Sequence, residues 1–186
     1  MTKPARVLID IQRAFDNPFW GARNNPDAEE NAGQLLSRWR ALGWPVVHVQ
    51  HISIEEGSPL LPGPGTEFQD VVMPLGDEPV LQKNVNSGFI GTELEPHLRA
   101  LGVTDLVICG LTTPHCVSTT TRMAGNLGFN VILAEDACAA FTLNAQTGWK
   151  EGLEAPDPQT IHDMAVSHLH GEFATARQTD DILNDL

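Results

Sequence analysis

The stretch that decides the fold is D-L-V-I-C-G-L-T-T-P-H-C-V, residues 105–117. Its first half is an apolar run that predicts a buried strand over 105–109, ended by Gly110. Cys116 follows at the point where a helix over 117–127 is predicted to begin. Because a helix N-terminus offers unpaired N–H groups and a positive dipole end, it favours a thiolate. The stretch therefore predicts either a nucleophile at the carboxyl end of a strand or an ordinary buried cysteine.

On both sides of this stretch, short apolar runs alternate with helical patterns. Further strands are predicted at 5–10, 45–49, 79–83, 130–134 and 173–175, and further helices at 29–42, 92–101 and 158–169. This alternation is typical of a parallel sheet covered by helices. We therefore predict one α/β domain over residues 1–186, a three-layer α/β/α sandwich with a mainly parallel, Rossmann-like sheet. Two loops rich in Pro and Gly, 17–26 and 57–68, are predicted to be lids or partner contacts.

The composition limits the classes of partner. The chain has 186 residues and a net charge of −13, which disfavours nucleic acid and anionic membrane surfaces as partners. No apolar run is long enough to span a membrane, and the first ten residues lack the features of a signal peptide. Three widely spaced cysteines do not form a disulfide framework. We expect a cytoplasmic protein with reduced thiols.

Three polar residues lie at the ends of predicted strands: Asp10, Lys83 and Cys116. Since the carboxyl ends of parallel strands meet at one edge of the sheet, the three side chains could converge in one crevice. Cys116 would attack a carbonyl carbon and Asp10 would move the proton, while Lys83 and the helix N-terminus would lower the pKa of the thiol. Taken singly, Asp10 could cap a turn and Lys83 could be a solvated surface cation.

The order of several motifs identifies a family. They are V-L-I-D-I-Q at 7–12, Q-K-N-V-N-S-G-F-I-G-T at 82–92, C-G-L-T-T-P-H-C-V-S-T-T-T-R-M-A at 109–124, G-F-N-V-I-L-A-E-D-A-C-A-A-F at 128–141 and H-G-E-F-A at 170–174. Over nearly its whole length the chain resembles the isochorismatase-like cysteine hydrolases, which include nicotinamidases and N-carbamoylsarcosine amidohydrolase. The resemblance implies that family's fold and a catalytic triad of Asp10, Lys83 and Cys116. It also implies an oxyanion hole from the N–H groups of Thr112 and Cys116, with a cis peptide bond between Leu111 and Thr112.

Two departures from the family narrow the predicted chemistry. Nicotinamidases resemble one another in an Asp-x-His metal pair after the second strand, where this chain has His51 and Ser53. His48 and His51 are too few for a metal, and strand alternation directs them to opposite faces, so we predict no metal and no cofactor. True isochorismatases lack the nucleophilic cysteine, so the presence of Cys116 favours amide or carbamoyl hydrolysis.

Several residues near the strand ends are candidates for the substrate pocket: Phe15, Trp20, Ser87, Phe89, Thr113 and His115. For each of them a core or loop position is the alternative, and Asn86 is a further candidate. Cys109 and Cys138 are predicted to be buried and inert. The three histidines of the C-terminal stretch, His162, His168 and His170, do not share one helical face and are predicted to be solvated.

The sequence thus predicts a metal-independent cysteine hydrolase that cleaves a C–N bond of a small amide or ureide through a thioester. One alternative is an isochorismatase-type hydrolase of a non-amide bond, and another is a catalytically silent binding module of the same fold. The expected partner is a small amide-like molecule. A homodimer or homotetramer is also expected, from the resemblance and because Leu60 and Leu61 in the loop 58–64 would otherwise face water.

Overall fold

A six-stranded parallel sheet forms the centre of the computed structural model, which describes residues 3–186. Its strands are β1 (Ala5–Ile9), β2 (Val46–His51), β3 (Val80–Lys83), β4 (Asp105–Leu111), β5 (Asn130–Ala139) and β6 (Thr175–Arg177). Their order across the sheet is β3-β2-β1-β4-β5-β6. The chain reverses direction across the sheet between β1 and β4, where open α/β sheets bind ligands beyond the carboxyl ends of the strands. The predicted α/β fold with a parallel sheet is confirmed.

Helices cover both faces of the sheet. They are α1 (Ala28–Leu42), α2 (Leu94–Ala100), α3 (Ser118–Asn126), α4 (Pro158–Ser167) and α5 (Thr179–Asn184). Right-handed crossovers place α1 on one face and α2, α3 and α4 on the other, and α5 packs against α1. None of the helices within residues 3–186 has the length and apolar character needed to cross a membrane.

Helix α1 shows how sequence pattern becomes packing. Its buried apolar residues recur at helical spacing and form one stripe: Ala28, Ala32, Leu35, Leu36 and Trp39. The helix ends at Gly43, whose φ of 60° is the left-handed conformation that glycine adopts without a steric penalty. Burial of a large apolar side chain stabilises the fold by about 1.5–3 kcal/mol, so this stripe fixes α1 firmly against the sheet.

The structure differs from the predicted elements in three places. β5 continues to Ala139 instead of ending at 134, because after a bulge it pairs again with β4 through Gly110 and Leu111. The predicted helix at 117–127 begins with a separate π-helical turn, Thr113–Val117, before α3. The last strand lies at 175–177 instead of 173–175, and α5 follows it without having been predicted.

Candidate active site

The structure brings Asp10, Lys83 and Cys116 together beyond the carboxyl ends of three strands. Lys83 Nζ donates to Asp10 Oδ2 at 2.6 Å and to Cys116 Sγ at 3.4 Å. The side chains of Asp10 and Lys83 are 0% exposed, and Cys116 is 9% exposed. The Cys116 thiol also donates to Asn86 Oδ1 at 3.8 Å. A sulfur atom at the edge of solvent thus lies against a fully buried ion pair.

The backbone around Asp10 explains how the carboxylate reaches the cysteine. Asp10 has a φ of 52°, a left-handed conformation that is uncommon for a residue with a side chain. The residue before it, Ile9, pairs with Gly110 of β4. At Gly110 a Cβ atom would overlap the backbone of Ile9, so the two strand ends approach closely only because position 110 is glycine. This close approach sets the carboxylate beside the turn that carries Cys116.

The electrostatics correct one prediction from the sequence. Burial raises the pKa of the Cys116 thiol above its ordinary value, the nearby Asp10 raises it further, and Lys83 only partly opposes them. The expected lowering of this pKa is therefore wrong, because the thiol is buried against a carboxylate. Burial also raises the pKa of the Asp10 carboxyl, with Lys83 opposing. Cys116 thus rests as a protonated thiol beside a carboxylate that is more basic than an ordinary aspartate, an arrangement that suits proton transfer from sulfur to Asp10 during attack.

His51 completes this group of polar side chains. Its register partner across β2 and β3 is Lys83, and His51 Nδ1 lies 3.0 Å from Lys83 Nζ. Burial, followed by the charge of Lys83, lowers the pKa of His51 to about 4, so the ring is neutral at pH 7. The other candidate, His48, is fully buried and hydrogen-bonds to Glu78 at 2.9 Å, away from this group.

A metal ion does not fit the residues present. One ligand atom from each of Asp10, His51 and Cys116 lies within 4.8 Å of the other two, which satisfies the distances of a metal site. However, the Lys83 ammonium is within hydrogen-bonding distance of all three residues. Because a cation already occupies the space between these groups, a metal ion would have to displace it against electrostatic repulsion. Asp10, His51 and Cys116 are therefore hydrogen-bonding partners of Lys83 and not metal ligands.

A cleft of about 450 Å³ opens above Cys116. Among the sequence-predicted pocket residues, Phe15, Trp20 and His115 line it, as does Thr112. The rings of Phe15 and Trp20 lie 4.9 Å apart and form an aromatic wall. The peptide bond between Leu111 and Thr112 is cis.

Three residues predicted for the pocket lie elsewhere: Ser87, Phe89 and Thr113 are buried and do not line the cleft. The Ser87 hydroxyl contacts Met123 Sδ, and the Phe89 ring stacks on Phe129 in the core. Both residues turn inward because the segment after β3 packs onto α3.

Thr113 belongs to a row of polar groups behind the cysteine that ends at the partly exposed Glu135. Its Oγ1 lies 2.9 Å from His162 Nδ1, and His162 Nε2 lies 3.2 Å from Glu135 Oε2. His162 is 1% exposed, so the prediction that it is solvated is wrong. Cys109 and Cys138 are 0% exposed, and their predicted burial is confirmed.

Residues at the end of β2 and in the segments after β2 and β3, which sequence reasoning missed for the pocket, form the other side of the cleft. They are His51, Ser53, Glu55, Ser58, Leu60, Asn84 and Val85, and the further candidate Asn86 also lines the cleft. The signal for two of them, Ser58 and Leu60, was the Pro- and Gly-rich loop at 57–68. Leu60 is 7% exposed and belongs to the same apolar cluster as Phe15. The expectation that it would face water in a single chain is therefore wrong. The predicted homo-oligomer consequently loses part of its sequence argument and stays a prediction.

A larger groove of about 780 Å³ lies near the opposite edge of the sheet. Among the described residues, those lining it include Pro4, Asp105, Asn130, Phe173 and Leu186, but no Cys, Lys or His. It therefore offers no thiol, amine or imidazole, and the smaller cleft above Cys116, which has a thiol beside a lysine, is the candidate active site.

Comparison with known proteins identifies the family of this chain. The isochorismatase domain model matches residues 4–181. The isochorismatase family protein YrdC of Bacillus subtilis is 46% identical over 184 residues, which cover 98% of this chain and 96% of that protein. A structure of an isochorismatase-family protein from Chromobacterium violaceum superposes with a TM-score of 0.91 at 44% identity, covering 99% of this chain and 93% of that one. The N-carbamoylsarcosine amidase of Thermoplasma acidophilum superposes with a TM-score of 0.72 at 26% identity, covering 96% of this chain and 97% of that one. This chain belongs to the isochorismatase family of hydrolases.

Proposed function

We propose that this hydrolase is a metal-independent cysteine amidohydrolase that cleaves a C–N bond of a small amide or ureide. The observation that carries the proposal is the hydrogen-bonded row from Asp10 through Lys83 to Cys116 at the floor of the cleft. A thiol, a basic carboxylate and a fixed cation are the groups that covalent acyl transfer needs. The similarity to an N-carbamoylsarcosine amidase supports the same chemistry.

In the first half of the reaction, Cys116 Sγ attacks the substrate carbonyl carbon and its proton passes to Asp10. Asp10 Oδ1 is buried and has no hydrogen-bond partner, so it is free to accept this proton. The tetrahedral adduct then collapses as Asp10 returns the proton to the leaving nitrogen. The C–N bond breaks, an amine or ammonia leaves, and a thioester remains on Cys116.

In the second half, water attacks the thioester while Asp10 accepts its proton. The C–S bond breaks, the acid leaves, and the proton returns to the thiolate. Lys83 keeps a positive charge beside both reacting groups throughout and limits the build-up of negative charge. The backbone N–H groups of Thr112 and Cys116 would stabilise the oxyanion, and one such donor is typically worth about 10²–10³ in rate.

The test is ammonia release from a panel of small amides and ureides by the wild type, Cys116→Ala and Cys138→Ala. We expect Cys116→Ala to abolish release because it removes the nucleophile. Cys138→Ala is the matched control, since Cys138 is fully buried in the core and outside the cleft. A Cys116→Ala variant that keeps a tenth of wild-type activity would exclude the covalent mechanism. An active wild type that cleaves only non-amide bonds would support the isochorismatase-type alternative.

A further inference from the structure

His51, the last residue of β2, is held in place on both its backbone and its ring. The buried side chain of Gln12 donates to the His51 carbonyl at 3.0 Å and accepts from the His51 N–H at 2.8 Å. Lys83 Nζ contacts the ring at Nδ1. The backbone and one edge of the ring are therefore both fixed, which is the property of a positioned functional group.

The contact with Lys83 decides which ring nitrogen carries the proton. An ammonium group can only donate, so Nδ1 of the neutral ring must accept and the proton lies on Nε2. No described residue is a hydrogen-bond partner of Nε2. The Nε2 atom is not buried, so it reaches solvent, and the ring lines the cleft above Cys116. His51 thus presents a fixed, unused N–H donor beside the reacting sulfur.

The charge of the cleft indicates what this donor receives. No Arg or Lys is among the described residues that line it, and Glu55 contributes a carboxylate. The positive charge of Lys83 is already neutralised by its ion pair with Asp10. Burial lowers the pKa of His115, which keeps that ring uncharged as well. A carboxylate group on the substrate would find no cation, whereas an uncharged carbonyl oxygen requires only an N–H donor.

We propose that His51 selects the substrate, with Nε2–H donating to a second carbonyl oxygen of an uncharged amide such as a ureide or a diamide. The proposal rests on the proposed function, because the first carbonyl is the one that Cys116 attacks. The group between the two carbonyls would pack against Phe15 and Trp20. His51 thereby serves as a donor to substrate at a position where nicotinamidases resemble one another in carrying a metal ligand.

Three amides of the same shape separate the possibilities. Malonamide has a second uncharged carbonyl, malonamate replaces it with a carboxylate, and isovaleramide replaces it with a branched alkyl group. We expect kcat/KM for ammonia release to be about tenfold higher for malonamide than for isovaleramide, the worth of one good hydrogen bond. Malonamate should fall below malonamide because it meets the carboxylate of Glu55 without a compensating cation. Equal rates for malonamide and malonamate would overturn the preference for an uncharged substrate.

Two substitutions of His51 distinguish the role of Nδ1, which contacts Lys83, from the role of Nε2, which would donate to substrate. The amide of His51→Asn can replace Nδ1 toward Lys83 but places no donor at Nε2, whereas His51→Gln can place its amide nitrogen near Nε2. We expect the ratio of kcat/KM for malonamide over isovaleramide to approach one in His51→Asn and to remain largely intact in His51→Gln. The exposed His168→Asn is the control for the same chemical change outside the cleft. An unchanged ratio in His51→Asn would show that His51 does not read the second carbonyl.

A binding measurement makes the inference independent of turnover. In Cys116→Ala protein with ¹⁵N-labelled histidine, we expect His51 to show the Nε2–H tautomer at pH 7, and malonamide but not isovaleramide to shift its Nε2 resonance. An Nδ1–H tautomer, or no shift with malonamide, overturns the inference whatever the activity. If the shift is present and the wild type releases no ammonia from these three amides or from the wider panel of amides and ureides, the proposed function fails while the His51 subsite stands.

Discussion

Lys83→Met tests the buried ion pair that the proposed chemistry requires. Lys83 Nζ lies 2.6 Å from Asp10 Oδ2, and both side chains are 0% exposed. Methionine keeps a similar shape but no charge, so the Asp10 carboxylate would remain buried without its partner. Breaking a buried pair in this way costs about 3–5 kcal/mol, and proton uptake by Asp10 would reduce the cost. We therefore expect the free energy of unfolding at pH 7 to fall by about 3 kcal/mol.

The assay is urea unfolding followed by tryptophan fluorescence and far-UV circular dichroism, accepted where the two transitions coincide. Since Lys83 also contacts Cys116 and His51, Asp10→Asn and the double variant Lys83→Met/Asp10→Asn complete a double-mutant cycle. We expect the double variant to lose less stability than the sum of the single variants, with a coupling energy of about 2 kcal/mol. Additive losses within about 0.5 kcal/mol would refute the claim that these two charges depend on each other in the folded protein.

The remaining predictions concern reactivity, packing, pH and metals. Asp10→Asn should speed alkylation of Cys116 by iodoacetamide while abolishing turnover, because the carboxyl raises the pKa of the thiol and also moves the proton; slower alkylation would contradict this. Gly110→Ala should lower the free energy of unfolding by about 2 kcal/mol or more in thermal melts, because its Cβ would overlap the backbone of Ile9; a melt like that of the wild type would show that the strand ends can separate freely. Between pH 6.5 and about 4 the unfolded chain binds a proton at His51 that the folded chain does not, so stability falls as the pH falls through this range. His51→Gln should therefore lose less stability than the wild type between pH 7 and pH 5 in urea unfolding, and an equal loss would argue against a lowered pKa. Exhaustive dialysis against EDTA should leave activity unchanged because the buried ammonium fills the space between the candidate ligands, and activity restored only by added metal would disprove this.

The sheet and the convergence of the three polar strand ends could be predicted from local pattern. Alternating apolar runs and helical segments leave few topologies open, because crossovers between parallel strands are right-handed and the carboxyl ends of the strands share one edge. Asp10, Lys83 and Cys116 each follow or end such a run, so their meeting needed no knowledge of side-chain packing. The predicted burial of Cys109 and Cys138 had the same basis, since both lie in apolar runs.

The state of the groups in the cleft depended on tertiary structure. The pKa of Cys116 rises because burial and a close carboxylate outweigh Lys83, and neither burial nor distance can be read from spacing along the chain. Thr113 turns inward to His162, and Leu60 folds over the cleft, because contacts distant in sequence bury them.

The role of His51 shows the same division most clearly. The sequence determined that a histidine stands at the end of β2, on the face directed away from that of His48. Only the register of β2 against β3 sets its ring beside Lys83, and only that contact places the proton on Nε2. Local pattern thus determined which chemical groups reach the edge of the sheet, whereas distances of a few ångströms between separate elements decided their charges, protons and partners.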